Sequence, residues 1–179
     1  VIDTGNTLQA VTHLQAAVAA KPDMPGYHLN LGVALIKADR KVDGLASMRR
    51  ALTVNPQYTP GRLALAQSLA AVDSVAAANA QYQAILAYDP TNGAAQCGLG
   101  WAALRATDCK EANRLFKSVV DSNPKNAEAW AGLGSAEVCA SNLTAAKAAL
   151  DRAAQIDPQD ANVKRGQEAL ARARSGSGQ

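Results

Sequence analysis

Side chains capable of chemistry are few in this sequence and stand apart. His13 and His28 are the two histidines, and neither has a cysteine at metal-ligand spacing. The three cysteines, Cys97, Cys109 and Cys139, all lie far downstream of them. A Cys–His nucleophile pair would therefore need a chain that folds back on itself. Aspartates and glutamates are scattered and form no pair of the kind that shares acid–base work. The glycines recur at wide intervals and build no phosphate loop. These spacings predict no catalytic residues, no metal site and no cofactor, so the protein is expected not to be an enzyme.

What remains is a question of scaffold. The chain has 179 residues, enough for a substantial core, and 48% of them are hydrophobic, with alanine supplying much of that share. Aromatics make up 4%. Alanine favours helix and fills little space, so closely packed helices are expected. Alternating Val/Ile/Thr patterns are rare, which argues against strands. The formal charge is +3, with Lys and Arg dispersed until the last helix. No concentrated basic stripe marks a nucleic-acid partner. No apolar run approaches the roughly 18 residues that span a bilayer, so no direct membrane insertion is expected. No signal peptide is visible; a start at Val1 rather than Met is read as an upstream segment removed, and the closing SGSGQ as a flexible end.

The chain repeats. Asn55-Pro56, Asp89-Pro90, Asn123-Pro124 and Asp157-Pro158 are spaced 34 residues apart, and Pro22 lies one period upstream. Aligning on this period gives repeats 25–58, 59–92, 93–126 and 127–160. Repeat position 7 holds Leu31, Leu65, Leu99 and Leu133, and position 8 holds Gly32, Ala66, Gly100 and Gly134. Position 20 holds Gly44, Ala78, Ala112 and Ala146; position 24 holds Met48, Tyr82, Phe116 and Leu150; position 27 holds Ala51, Ile85, Val119 and Ala153. Small residues at 8 and 20 let two antiparallel helices approach, large ones at 7 and 24 fill the space beside them, and proline ends the second helix. Each hairpin leaves an apolar face that only stacking can bury.

This pattern resembles the tetratricopeptide repeat, a 34-residue helix–turn–helix with W-x2-L-G, a later small residue, a large apolar residue and a closing proline. Repeat 127–160 carries it as Trp130, Leu133, Gly134, Ala146, Leu150, Ala153 and Pro158, and departs where Glu137 replaces the usual Tyr. Repeat 93–126 has Gln96 and Ala103 in place of the early aromatics, and repeat 25–58 has His28 and Gly44. The similarity covers residues 6–174. Pentatricopeptide arrays, which read RNA, have a 35-residue period and lack the Leu-Gly pair. The resemblance implies an all-α, right-handed superhelix, an α-solenoid of antiparallel helix pairs. Residues 1–24 are then a partial repeat with its second helix only, 161–174 a polar C-terminal capping helix, and 175–179 a tail.

The family usually binds a peptide or helix in a concave groove lined by first helices. Carried onto this sequence, the family's groove positions give Leu29, Val33 and Ile36; Leu63 and Gln67; Trp101, Leu104 and Arg105; Ser135 and Val138; and Arg165 and Arg172 on the cap. The lysine and asparagine that clamp a chaperone's C-terminal carboxylate in some members are Leu29 and Val33 here, so that activity is not expected. The expected function is a protein-interaction module or scaffold with a largely apolar groove, basic at its C-terminal end. A chaperone shielding an apolar client segment is one alternative. A homo-oligomer assembling through the open N-terminal repeat is another. Trp101 lies off the structural tryptophan position, so either it anchors a partner or it packs on the neighbouring first helix. In the repeat frame Cys109 opens a second helix and Cys139 ends the next first helix, at the same end of the stack. Either they form a disulfide, which would favour a periplasmic or other extracytoplasmic bacterial setting, or they are two small thiols.

Overall fold

The structure, a computed structural model, describes residues 4–176. Among them are ten helices and no strand. The first helices of the four repeats are α2 (Pro25–Lys37), α4 (Thr59–Ala71), α6 (Gly93–Arg105) and α8 (Ala127–Cys139). Their partners are α3 (Lys41–Val54), α5 (Val75–Leu86), α7 (Cys109–Ser122) and α9 (Leu143–Ile156). Helix α1 (Thr4–Ala20) precedes them and α10 (Ala161–Gly176) follows. Helix α10 thus continues through the first two residues of the expected tail, and 177–179 lie outside the described residues, as do 1–3.

The turn inside each repeat is built the same way four times. Asp39, Asp73, Thr107 and Ser141 take the left-handed conformation, with φ between 60° and 63°. After α2, the Arg40 amide donates to the Leu35 carbonyl at 2.9 Å and the Asp39 amide to Ile36 at 3.0 Å. These two bonds are the Schellman closure, which satisfies the last carbonyls of a helix and reverses the chain. The same pair recurs as Ser74 to Leu69, Asp108 to Ala103 and Asn142 to Glu137, with the matching inner bonds. At the other end of a repeat the residue before proline is extended: Asn55 has φ −136° and ψ 102°, and Asp157 has φ −141° and ψ 95°. Proline's ring forbids helix to the residue before it, so the second helix stops there. New helices then start on capping side chains: Asn92, Asp108 and Asn126 accept from the amides of Ala95, Glu111 and Ala129.

Position 4 of each repeat carries a regularity hidden by its four different side chains. His28 Nε2 lies 2.8 Å from the Pro22 carbonyl. An Arg62 amine donates to the Pro56 carbonyl. Gln96 Nε2 donates to Pro90 at 3.0 Å, and Trp130 Nε1 to Pro124 at 2.9 Å. Each bond ties a first helix to the proline turn six residues before it. What the site requires is a nitrogen donor of sufficient reach, since the turn leaves that carbonyl with no helical partner.

The described chain forms two compact units, residues 1–88 and 89–179. In the first, Val11, Leu14 and Val18 of α1 pack on Leu31, Ala34, Leu35 and Ala38. Gly32 and Gly44 bring α2 and α3 together: a Cβ on Gly32 would lie 2.8 Å from the Gly44 carbonyl oxygen. In the second unit, Phe116 is fully buried among Cys97, Ala112, Val119, Val120, Ala129 and Ala136, with Trp101 and Trp130 packed against the cluster. Trp130 also reaches Ala131, Ala153 and Val163, so one indole joins two core clusters. A second close approach sits at position 6, which the repeat pattern read at positions 7, 8, 20, 24 and 27 does not include. The missing Cβ of Gly132 would fall inside the contact radius of the Phe116 ring, and that of Gly166 would lie 2.5 Å from Leu150 Cδ2. The large residue at position 24 is therefore accommodated by both its own repeat and the next.

Candidate partner-binding cleft

Helices α6, α8 and α10 line an open cleft of about 540 Å³ within residues 89–179. Trp101, Leu104 and Arg105 come from α6, Glu128 and Ser135 from α8, and Asn162, Arg165 and Gly166 from α10. These are first helices, and the side chains stand at positions 2, 5, 6, 9, 12 and 13 of their repeats. Five of the residues expected to line a groove, Trp101, Leu104, Arg105, Ser135 and Arg165, therefore meet at one place.

Trp101 is held from two sides. Its ring meets Phe116 edge to face, with centroids 5.0 Å apart and planes at 67°. Its Nε1 donates to Glu128 Oε1 at 3.1 Å. The indole is half-buried, so it packs on the core with one part and faces the cleft with another. Ser135 Oγ donates to the Ala131 carbonyl of its own helix at 2.9 Å. Arg165 donates to Asn162 Oδ1 at 2.8 Å and to the Ala161 carbonyl, both neutral oxygens, so its positive charge is presented rather than neutralised.

Other expected residues stand elsewhere. Val138 packs against the cluster of Ala146, Leu150 and Leu170, and Arg172 is exposed on α10 away from the cleft lining. In the first unit, Val33 lines a separate cleft between α1 and α2 with Asn6, Thr7, Ala10, Asn30, Ala34 and Lys37. Ile36 turns toward α3, its Cγ1 2.7 Å from where a Gly44 Cβ would stand. Leu29 and Leu63 are half-buried, and Gln67 is exposed.

One group close to the cleft has a clearly shifted acidity. Cys97, beneath it, has its thiol pushed up to about 12 by burial, with the nearby Glu128 charge adding to the effect. Such a thiol stays protonated and is a poor nucleophile. No cluster of three or more metal-ligating side chains exists among the described residues, and no described helix is long and apolar enough to cross a membrane. Cys109 on α7 and Cys139 on α8 have Cα atoms 5.5 Å apart, a separation typical of disulfides. Glu137 stands where a tyrosine is usual in the family. Its carboxylate accepts from Asn113 Nδ2 at 2.6 Å and Asn142 Nδ2 at 2.8 Å, joining α7, α8 and the following turn.

A tetratricopeptide repeat profile matches residues 2–59 and 97–161, which is more than half of the chain. The chain belongs to the tetratricopeptide repeat family. No curated protein matches it. Solved structures that share the fold include a tetratricopeptide repeat protein from Parabacteroides merdae, 20% identical, covering 97% of this chain and 72% of that one with a TM-score of 0.79. The pilF protein of Pseudomonas aeruginosa is 17% identical, over 94% of this chain and 82% of its own, with a TM-score of 0.78. YrrB, described as a TPR protein with an unusual peptide-binding site, is 16% identical over 92% and 84%, with a TM-score of 0.68. At these identities the likeness establishes the tetratricopeptide fold alone. That fold is an all-α solenoid and a protein–protein interaction scaffold, and proteins built on it are generally interaction modules rather than enzymes.

Proposed function

We propose that this tetratricopeptide protein binds a peptide segment of another protein in the cleft of residues 89–179. The observation that supports this reading is Trp101. A half-buried indole fixed by Phe116 and Glu128, with a face toward an open cleft, has the properties of an interface hot spot: large area and little freedom left to lose. Leu104 adds apolar surface beside it. A micromolar affinity is ordinary for an interface of this size. Truncating Trp101 to alanine would also unpack Phe116, so Trp101→Gln, read beside the melting temperature, is the better probe. Crosslinking and pull-down from the native source should recover a partner with the wild type and lose it with a variant that still unfolds cooperatively. Retention of the same partner by that variant would sink the reading.

The Cys109–Cys139 pair belongs to the same proposal as a disulfide that staples α7 to α8 beside the cleft, which suits an oxidising, extracytoplasmic compartment. Mass spectrometry of alkylated, unreduced protein should find both thiols blocked.

A second reading, self-association through α1, is favoured by Leu8, which is 58% exposed, and by the open cleft between α1 and α2. Light scattering across a concentration series should then show mass rising with concentration, and Leu8→Asp should abolish the rise.

A further inference from the structure

We infer that the segment bound in this cleft carries an acidic side chain beside its apolar anchor, and that Arg165 selects for it. The inference rests on the proposed binding role of the cleft and specifies its ligand. The cleft is chemically divided. Trp101 and Leu104 supply an apolar surface on α6, while Arg105 and Arg165 bring guanidinium groups from α6 and α10 to either side of α8. The partners of Arg165 are neutral oxygens on its own first turn, and Asn162 orients the fork. A planar guanidinium so presented matches a carboxylate better than any neutral group. Glu128 is the opposing charge. It spends one oxygen on the Trp101 N–H, and as a carboxylate it repels an acid placed on its side. The ligand is thereby given a direction, with its apolar side chain over Trp101 and Leu104 and its carboxylate toward α10.

The carboxylate is assigned to a side chain rather than to a chain end. The lysine and asparagine with which family members hold a terminal carboxylate, at repeat positions 5 and 9, are Cys97 and Trp101 in the third repeat and Ala131 and Ser135 in the fourth. The positive charges here stand at position 13 of the third repeat and position 5 of the cap helix, a different arrangement.

The test uses the full chain and a synthetic library of acetylated, amidated peptides. Each has a leucine or phenylalanine followed within three residues by Asp, Glu, Asn or Gln. Fluorescence anisotropy should show the acidic members binding about tenfold more tightly than their amide counterparts, with the preference weakening as salt is raised. Arg165→Gln should erase the preference, while Lys117→Gln, exposed on α7 in an ion pair with Asp121, should leave it intact. Glu128→Gln keeps an acceptor for the Trp101 N–H and removes the repulsion, so it should tighten acidic peptides and leave amide peptides unchanged. Equal binding of acid and amide peptides would overturn the selection by arginine and leave the apolar groove standing. A preference that survives Arg165→Gln, or one seen only with a free C-terminal carboxylate, would also overturn it. Binding of no member would overturn this inference and the cleft itself.

Discussion

Replacing Gly132 with alanine sets a methyl group into the Phe116 ring, which is fully buried and already in contact with Trp101. Overpacking of this kind costs about 1–3 kcal/mol, and the shift of Phe116 would disturb the indole above it. Gly132→Ala should therefore lower both the urea midpoint and peptide affinity. The opposite sign is expected at Thr107. A β-branched residue in the left-handed region is strained, whereas aspartate tolerates it better. Thr107→Gly should gain up to about 1 kcal/mol in chemical denaturation, and Asp39→Gly distinctly less. Cys97 supplies a pH dependence. Its folded-state value of about 12 lies above the ordinary 9.0, so the unfolded chain loses this proton first as pH rises. The stability that depends on the neutral thiol is complete below pH 9 and declines between pH 9 and 12. Melting curves of Cys97→Ala should fall less steeply than wild type across that window.

At the scale of the helix, the period of the prolines was enough to locate the hairpins, because proline terminates helices by local sterics that no tertiary contact needs to supply. The Gly32–Gly44 approach was readable for the same reason: a small residue facing a small residue leaves a mark in sequence. Position 6 escaped because its partner lies in the preceding repeat, and the set there (Asn30, Ala64, Gly98, Gly132) becomes small only along the chain. The family's groove positions put Val138 and Ile36 in a groove, but a repeat position fixes a side chain's face only to within a fraction of a turn. Ile36 fills the space left beside Gly44, and Val138 packs on the cluster that contains Leu170. Glu137 reads in sequence as a mismatch to the family and in structure as a junction of two amides. Glu137→Ala should strand the Asn113 and Asn142 amides and cost about 1–3 kcal/mol, read by denaturant titration.

For the molecule as a whole, the two compact units differ in what holds them. Residues 89–179 contain the Phe116 cluster, both satellite clusters around α9 and α10, and the Cys109–Cys139 pair. Residues 1–88 rely on contacts such as those of Val11 with Leu31 and Leu35, and contain no cysteine. Arrays of repeats need not unfold in one step. Calorimetry should resolve two transitions, with reductant lowering only the one that belongs to residues 89–179. A disulfide closing a loop with a sequence separation of 30 would contribute about 3–4 kcal/mol in the chain-entropy description, a shift large enough to see. Residues 89–179 expressed alone should remain helical and unfold cooperatively.

The bonds from His28, Arg62, Gln96 and Trp130 to the preceding proline carbonyls bear on how such a chain can change over generations. The acceptor is main chain, present wherever that turn is present, and the donor travels with the repeat that uses it. A repeat copied, deleted or moved within the array brings its own donor and meets an acceptor already in place, so the joint tolerates rearrangement without a matching mutation on the other side.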